Sequence, residues 1–296
     1  MPNKINYVIA TFNGKCRRSH TQPLPKDVVH SHLSQLLRIN HKLDQITIMK
    51  AKSPNYYNGY YDIDELKKHF DIPIIEIECE NYGYSMGQWL KAYEIYKNQF
   101  DYYIFMEDDY CGGINHFDQI LLDVYSYKFT NKIGLLCSIV EGSSNYKENC
   151  CYPIHWGGSI FISKETMNQL YSNEKWNGKP RKWLDKMNAE IDTGFNWSKL
   201  RKSYLGGYYQ VSLSHLMTLS GIKHDTYLDM IHKNGHSYQF PYWIDLSNEI
   251  GGKIQFYDKN TMRKSSYTYQ DICNSPIIPV QLTTKEYIKH NTNLHP

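Results

Sequence analysis

Apolar and polar positions alternate along the first ~110 residues in two periods, one of continuous short runs and one of helical stripes. Ile5–Ala10 is a short apolar run that stops at Thr11-Phe-Asn-Gly14, a loop signature. Pro23 and Pro25 then precede a predicted helix over Asp27–Leu43, with Val29, Leu33, Leu36 and Leu37 on one face. Gln45–Met49 reads as a second strand, Asp64–Phe70 as a short helix and Ile72–Glu78 as a third strand. Met86–Phe100 carries a helical stripe of Met86, Trp89, Leu90, Tyr93, Tyr96 and Phe100. Tyr102–Met106 is a continuous apolar run, ended abruptly by Glu107-Asp108-Asp109. Further on, Phe117–Tyr127 reads as helix, Ile133–Val140 and Gly158–Ser163 as strands, and Lys164–Tyr171 as a helix that Ser163 would cap. Asp192–Lys202 and Val211–Ser220 have helical patterns, and the tail from Tyr238 holds one or two strands.

Unbroken apolar strands separated by amphipathic helices imply an α/β fold with a parallel sheet covered on both faces. Ligands of such sheets bind beyond the carboxyl ends of the strands. Thr11–Gly14 and Glu107–Asp109 are therefore expected on one rim. With no repeat and no linker, the 296 residues are expected to form one domain, with residues 1–115 as its first half and 116–296 as an elaborated second half.

Composition narrows the chemistry. The net charge is +3, too small and too scattered for a nucleic-acid binder. No run approaches ~18 apolar residues, so no transmembrane helix is expected. The start, Met1-Pro-Asn-Lys-Ile5, lacks a signal-peptide shape, and a cytoplasmic location is expected. Seven cysteines without a CxxC pair read as reduced, mostly buried thiols. The 27 tyrosines against four alanines reflect a coding bias toward AT-rich codons before they reflect a sugar cleft.

The acidic triplet is the chemical signal. Three carboxylates directly after a buried strand repel one another, and a divalent cation relieves the repulsion. Hard ions such as Mg²⁺ or Mn²⁺ take oxygen ligands and share them with a diphosphate. In extended backbone Glu107 and Asp109 point the same way and suit one metal. A solvated turn is the plain alternative for the triplet alone.

Three stretches occur together in order. They are Ile5-Asn-Tyr-Val-Ile-Ala-Thr-Phe-Asn13, Asn81-Tyr-Gly-Tyr-Ser-Met-Gly-Gln88 and Phe100-Asp-Tyr-Tyr-Ile-Phe-Met-Glu-Asp-Asp109. Together they resemble the donor-binding core of GT-A glycosyltransferases, particularly family-2-like members, over about the first 110 residues. The resemblance implies a Rossmann-like, mostly parallel sheet flanked by helices. It also implies an Asp-x-Asp metal signature, here with Glu107 in place of the first Asp. The implied donor is a nucleoside diphosphate sugar, UDP- or GDP-linked, and the implied acceptor is a glycan or glycoprotein hydroxyl.

Residue by residue, the resemblance places Thr11, Phe12 and Asn13 at the nucleoside. It places Gly83, Ser85, Gln88 and Asp108 toward the sugar and diphosphate, with Glu107 and Asp109 on the metal. Gly221–His232 follows the family's strand-then-His layout. His232 is thus expected as a further metal ligand, with His236 in reserve. The second strand ends in Lys50-Ala-Lys-Ser53, where the family commonly offers an Asp, so the base stays open. Trp156, Gly157 and Gly158 are expected on the acceptor side.

An inverting transferase needs a carboxylate to deprotonate the acceptor. Asp192 is the first choice and Glu190 the second; a rival alignment at Tyr209-Gln210-Val211 has no acid and would favour retention. Two other classes stay in view. One is a sugar-phosphate nucleotidylyltransferase, whose Gly-rich basic opening loop is not seen. The other is a non-catalytic carbohydrate-binding protein on the same fold.

Overall fold

A computed structural model describes residues 2–12, 25–52, 63–81, 83–108, 110–112, 116–137, 141–142, 154–155, 159–173, 213–214, 216–217, 220–226, 243–245, 253–258 and 263–268. The first strands and helices are β1 (Ile5–Phe12), α1 (Pro25–Leu36), β2 (Gln45–Lys52), α2 (Asp64–Lys67), β3 (Ile74–Glu80), α3 (Tyr84–Tyr96) and β4 (Tyr102–Glu107). Then come β5 (Tyr110–Gly112), α4 (Phe117–Lys128), β6 (Gly134–Cys137), β7 (Glu141–Gly142), β8 (Ile154–His155), β9 (Ser159–Ser163) and α5 (Lys164–Tyr171). The last are β10 (Lys223–Thr226), β11 (Trp243–Asp245), β12 (Lys253–Asp258) and β13 (Arg263–Thr268).

The central sheet has seven strands in the order β10-β6-β9-β4-β1-β2-β3. β1 pairs in parallel with β2 and β4, β2 with β3, and β6 with β10. The expected α/β class, mostly parallel and flanked by helices, is what forms. One strand of the sheet runs against the others: β9 is antiparallel to both β4 and β6. β6 is laid down one position away from β4, and β9 later fills the gap from the opposite end. Because β9 is buried along its whole length, Ser-Ile-Phe-Ile-Ser reads the same in either direction.

The chain steps outward from β1 to β2 to β3, then returns through α3 to β4 on the other side of β1. The strand order therefore reverses between β1 and β4. Alternate residues of β1 feed two cores. Ile5, Tyr7 and Ile9 pack with Val29, Leu33 and Leu36 of α1 and with Phe117, Leu121 and Val124 of α4. Val8 and Ala10 face the other way, with Met86, Trp89 and Tyr93 of α3 and Met167 and Leu170 of α5.

Several boundaries differ from the periodic pattern for local reasons. α1 ends at Leu36, although Ile39 and Leu43 are buried in the loop that follows. Burial there continues the apolar stripe without continuing the helix. α3 ends at Tyr96 rather than Phe100: Gln99 N–H donates to the Tyr96 carbonyl across a turn with Asn98 at φ 71°. Asn tolerates that left-handed conformation. α2 stops at Lys67, and β3 runs two residues later than the pattern predicts. The helix over Lys164–Tyr171 forms as expected, and the Ser163 side chain accepts from Thr166 N–H. Leu213, Ser214, Leu216 and Met217 are helical within the predicted Val211–Ser220 segment. Asp192–Lys202 lies outside the described residues.

The tail contributes three strands rather than one or two, forming a second sheet in the order β13-β12-β11-β5. That sheet grows from β5, the segment just after the acidic turn, and is antiparallel throughout. Cys79 and Cys137 form no disulfide. Burial pushes the Cys79 thiol up to about 11. Among the described residues, no helix is long and apolar enough to cross a membrane.

Candidate functional site

The carboxyl ends of β1 and β4 lie side by side at the strand-order reversal, where α/β sheets open a crevice. Register places Ala10 beside Glu107, so Thr11 and Asp108 follow as neighbours on the rim. Of the expected loop and acidic turn, Thr11 and Asp108 therefore meet. Thr11 Oγ1 donates to Asp108 Oδ2 at 2.7 Å.

Strand alternation separates the two acids. Tyr103 and Phe105 face the α3 core, and Glu107 continues that row, where Ser85 Oγ donates to its Oε1 at 2.7 Å. Tyr102, Ile104 and Met106 face the α1 core, and Asp108 continues that row. One hydroxyl thus orients each carboxylate, and both residues are only partly buried.

The start of α3 is shaped for close approach. Gly83 is its N-cap at φ 70°, and Tyr84 follows at φ 55°. A residue with a Cβ would strain the first of these positions. Gly83 is buried, and its carbonyl accepts from Gly87 N–H at 3.0 Å. Gln88, one turn into the helix, is 3% exposed, and its Oε1 accepts Thr11 N–H at 3.0 Å. Gln88 thus braces the end of β1 from α3. Next to it, Trp89 Nε1–H donates to the Met106 carbonyl at 3.1 Å, tying α3 to β4 just before the acids. Phe12 closes β1, opposite Ala51 of β2.

Two residues that the pattern does not single out complete the rim. His32 of α1 is fully buried; Nδ1 lies 3.1 Å from the Asp108 carbonyl and Nε2 lies 2.7 Å from the Tyr7 hydroxyl. Burial pulls its pKa down to about 4, with the bond to Asp108 opposing, so the ring is neutral near pH 7. A carbonyl only accepts, so Nδ1 carries the proton and Nε2 accepts from Tyr7. Tyr7 also meets His32 and Phe117 edge-on. In sequence, His32 is one of 13 histidines and Tyr7 sits in an apolar run; only β1–β4 pairing connects them to the acids.

Asn13, Asp109, Trp156, Gly157, Gly158, Glu190, Asp192, His232 and His236 lie outside the described residues. Among the described residues, no group of three or more His, Cys, Asp or Glu is arranged to hold a metal ion. Carboxylate oxygens are the donors that a hard cation takes, although Glu107 and Asp108 present theirs on opposite faces of the strand end. Glu107 and Asp108 supply carboxylate oxygens, each oriented through its other contacts by a hydroxyl. The strand half of the expected strand-then-His layout is β10, parallel to β6.

No family model matches this chain, and no curated protein matches it in sequence. Solved structures with a partly similar fold include mouse xyloside xylosyltransferase 1, 12% identical, covering 75% of this chain and 85% of that one with a TM-score of 0.42. Another is a cytidylyltransferase from Leptospira borgpetersenii serovar Hardjo-bovis, at 13% identity, 95% and 99% coverage and a TM-score of 0.41. A third is the 4-diphosphocytidyl-2C-methyl-D-erythritol synthase of Anaerococcus prevotii, at 10% identity, 70% and 96% coverage and a TM-score of 0.35. At that level of identity and superposition they assign no activity to this chain.

Proposed function

We propose that the chain is a metal-dependent, nucleotide-sugar-using glycosyltransferase of GT-A type, acting on a hydroxyl of a glycan or glycoprotein. The observation that carries this reading is the convergence of Thr11, Ser85, Glu107 and Asp108 on one rim at the β1/β4 reversal. Hydroxyls, a left-handed glycine at a helix start and paired carboxylates are what a ribose and a metal-bridged diphosphate would require.

In this proposal Glu107 and Asp109 hold Mn²⁺ or Mg²⁺, with Asp108 beside them and His232 completing the set. The cation, when bound, offsets charge on the leaving diphosphate. Thr11, Phe12 and Asn13 line the nucleoside, while Gly83 and Ser85 approach the diphosphate and sugar. Gln88 keeps the end of β1 in place. Trp156, Gly157 and Gly158 serve the acceptor. Asp192, or else Glu190, takes the acceptor proton in an inverting displacement at the anomeric carbon.

Calorimetric titration of Mn²⁺ with and without UDP and GDP tests the reading. Metal-dependent nucleotide binding that Asp109→Asn weakens is the expected outcome. Equal binding by that variant rejects the site. Hydrolysis of UDP- or GDP-sugars without acceptor identifies a transferase. Pyrophosphate release from a nucleoside triphosphate and a sugar phosphate identifies a nucleotidylyltransferase instead.

A further inference from the structure

Asp108 is fixed at both its side chain and its main chain. Thr11 Oγ1 holds the carboxylate at 2.7 Å, and His32 Nδ1 holds the carbonyl at 3.1 Å. The second of these bonds comes from a different element, α1, and from a fully buried ring. Behind that ring the Tyr7 hydroxyl lies 2.7 Å from Nε2. The chain Tyr7 O–H to His32 Nε2, His32 Nδ1–H to Asp108 C=O therefore has one consistent direction. Tyr7 belongs to β1, so this relay ties the acidic turn after β4 to both the neighbouring strand and the helix across it.

We propose that His32 is a positioning residue for the acidic turn: its Nδ1–H, fixed in that tautomer by Tyr7, holds the Asp108 carbonyl and so aims the turn's carboxylates at the metal and diphosphate. This rests on the proposed nucleotide-sugar site. A turn residue anchored only by its side chain is able to rotate about its main chain, which swings its own carboxylate and redirects the chain that follows. A bond to the carbonyl removes that freedom. Outer partners of this kind typically matter 10–100-fold to metal affinity or activity.

Two near-isosteric variants separate positioning from packing. In His32→Asn the amide nitrogen falls close to the Nδ1 position and still donates to Asp108. In His32→Gln the amide reaches the Nε2 position, where its oxygen accepts from Tyr7 but nothing donates to Asp108. Manganese–UDP and manganese–GDP affinities are measured by calorimetry for parent and variants, with urea unfolding as the stability readout. His32→Gln is expected to lose about 10–100-fold in affinity, and His32→Asn to recover most of it at similar stability. Equal affinity in the parent and His32→Gln overturns the proposal, as does loss in His32→Asn as deep as in His32→Gln.

Should the glutamine variant not fold, Tyr7→Phe keeps the ring against Phe117 and removes only the hydroxyl; a several-fold fall is expected, and unchanged affinity overturns the proposal. Nitrogen-15 NMR of the parent reads the tautomer directly. An Nδ1–H ring at His32 supports the relay, and an Nε2–H ring overturns it. A parent that binds neither nucleotide with Mn²⁺ or Mg²⁺ removes the functional reading and this proposal with it. A binding parent with an indifferent His32→Gln removes this proposal alone.

Discussion

Two dense hydrogen-bonded clusters sit at opposite ends of the central sheet and differ in how they finish. At the amino ends of the parallel strands, the Tyr125 hydroxyl lies within 3.0 Å of Ser163 Oγ, Thr166 Oγ1 and the Gly134 carbonyl. Ser163 Oγ also donates to the Lys132 carbonyl, and Gly134 N–H donates to Thr166 Oγ1. Tyr125, Ser163 and Thr166 are all buried, and their partners are one another and main-chain groups. At the carboxyl ends, Thr11, Gln88, His32 and Tyr7 are equally buried, but their bonds lead outward to Asp108, while the partly buried Ser85 holds Glu107, and both acids reach the surface. The first cluster closes on itself and joins α4, β6, β9 and α5. The second holds charge at a rim. Density of buried polar contacts marks structure; charge delivered to a strand-order reversal marks a site.

Acid should affect the rim and also β10, a strand outside the closed cluster, because burial lowers the pKa of a histidine in each to about 4: His32 at the rim and His224 on β10 beside β6. Unfolded, each returns to 6.5. Between these values the unfolded chain binds more protons, so stability is full above pH 6.5 and falls as pH drops toward 4. The loss reaches as much as ~3 kcal/mol for His32. It is less for His224, which is only partly buried as a residue though its Nε2 is buried. Urea unfolding across that range checks the slope, and a neutral replacement of either histidine should remove only its own share.

Gly134→Ala should break the closed cluster alone. A Cβ there would fall 2.3 Å from the Phe129 ring, so the ring or β6 must move. The expected cost is about 3 kcal/mol in urea unfolding, with nucleotide affinity per folded molecule unchanged. A loss of affinity alongside would mean the two ends are coupled.

Asp108→Asn should do the converse. It keeps an oxygen to accept from Thr11 but removes the charge. Metal–nucleotide affinity should fall about 10–100-fold in calorimetry, while stability changes by less than about 1 kcal/mol.

Tyr125→Phe is the mildest probe. Ser163 and Thr166 already reach the same carbonyls, so the cluster keeps partners for most of its groups. A cost of about 1–2 kcal/mol is expected in urea unfolding, and affinity should not change. A cost near zero would show that the hydroxyl is redundant.

Much of this was legible in the chain before folding. The short apolar runs set β1 and β4, because a strand buried on both faces needs mostly apolar residues. The Thr11 loop and the acids after Met106 follow as the ends of those runs, and the rule of ligands at strand ends put them on one rim. Ser163 announced its cap by its place before a helical stripe. Strand direction was not legible for β9, since burial on both faces erases the alternation that would orient it. Nor was the length of α1, since Ile39 and Leu43 keep the stripe alive in a loop.

By itself, then, the sequence determined where the central strands β1, β2 and β4 lie and that carboxylates end one of them. Only the tertiary structure decided that Gln88 turns inward to Thr11 and that His32 and Tyr7 stand behind the acidic turn. The reason is separation along the chain. Thr11 and Asp108 are 97 residues apart, and His32 and Asp108 are 76 apart. Local periodicity carries no information at that range, and pairing of β1 with β4 supplies it.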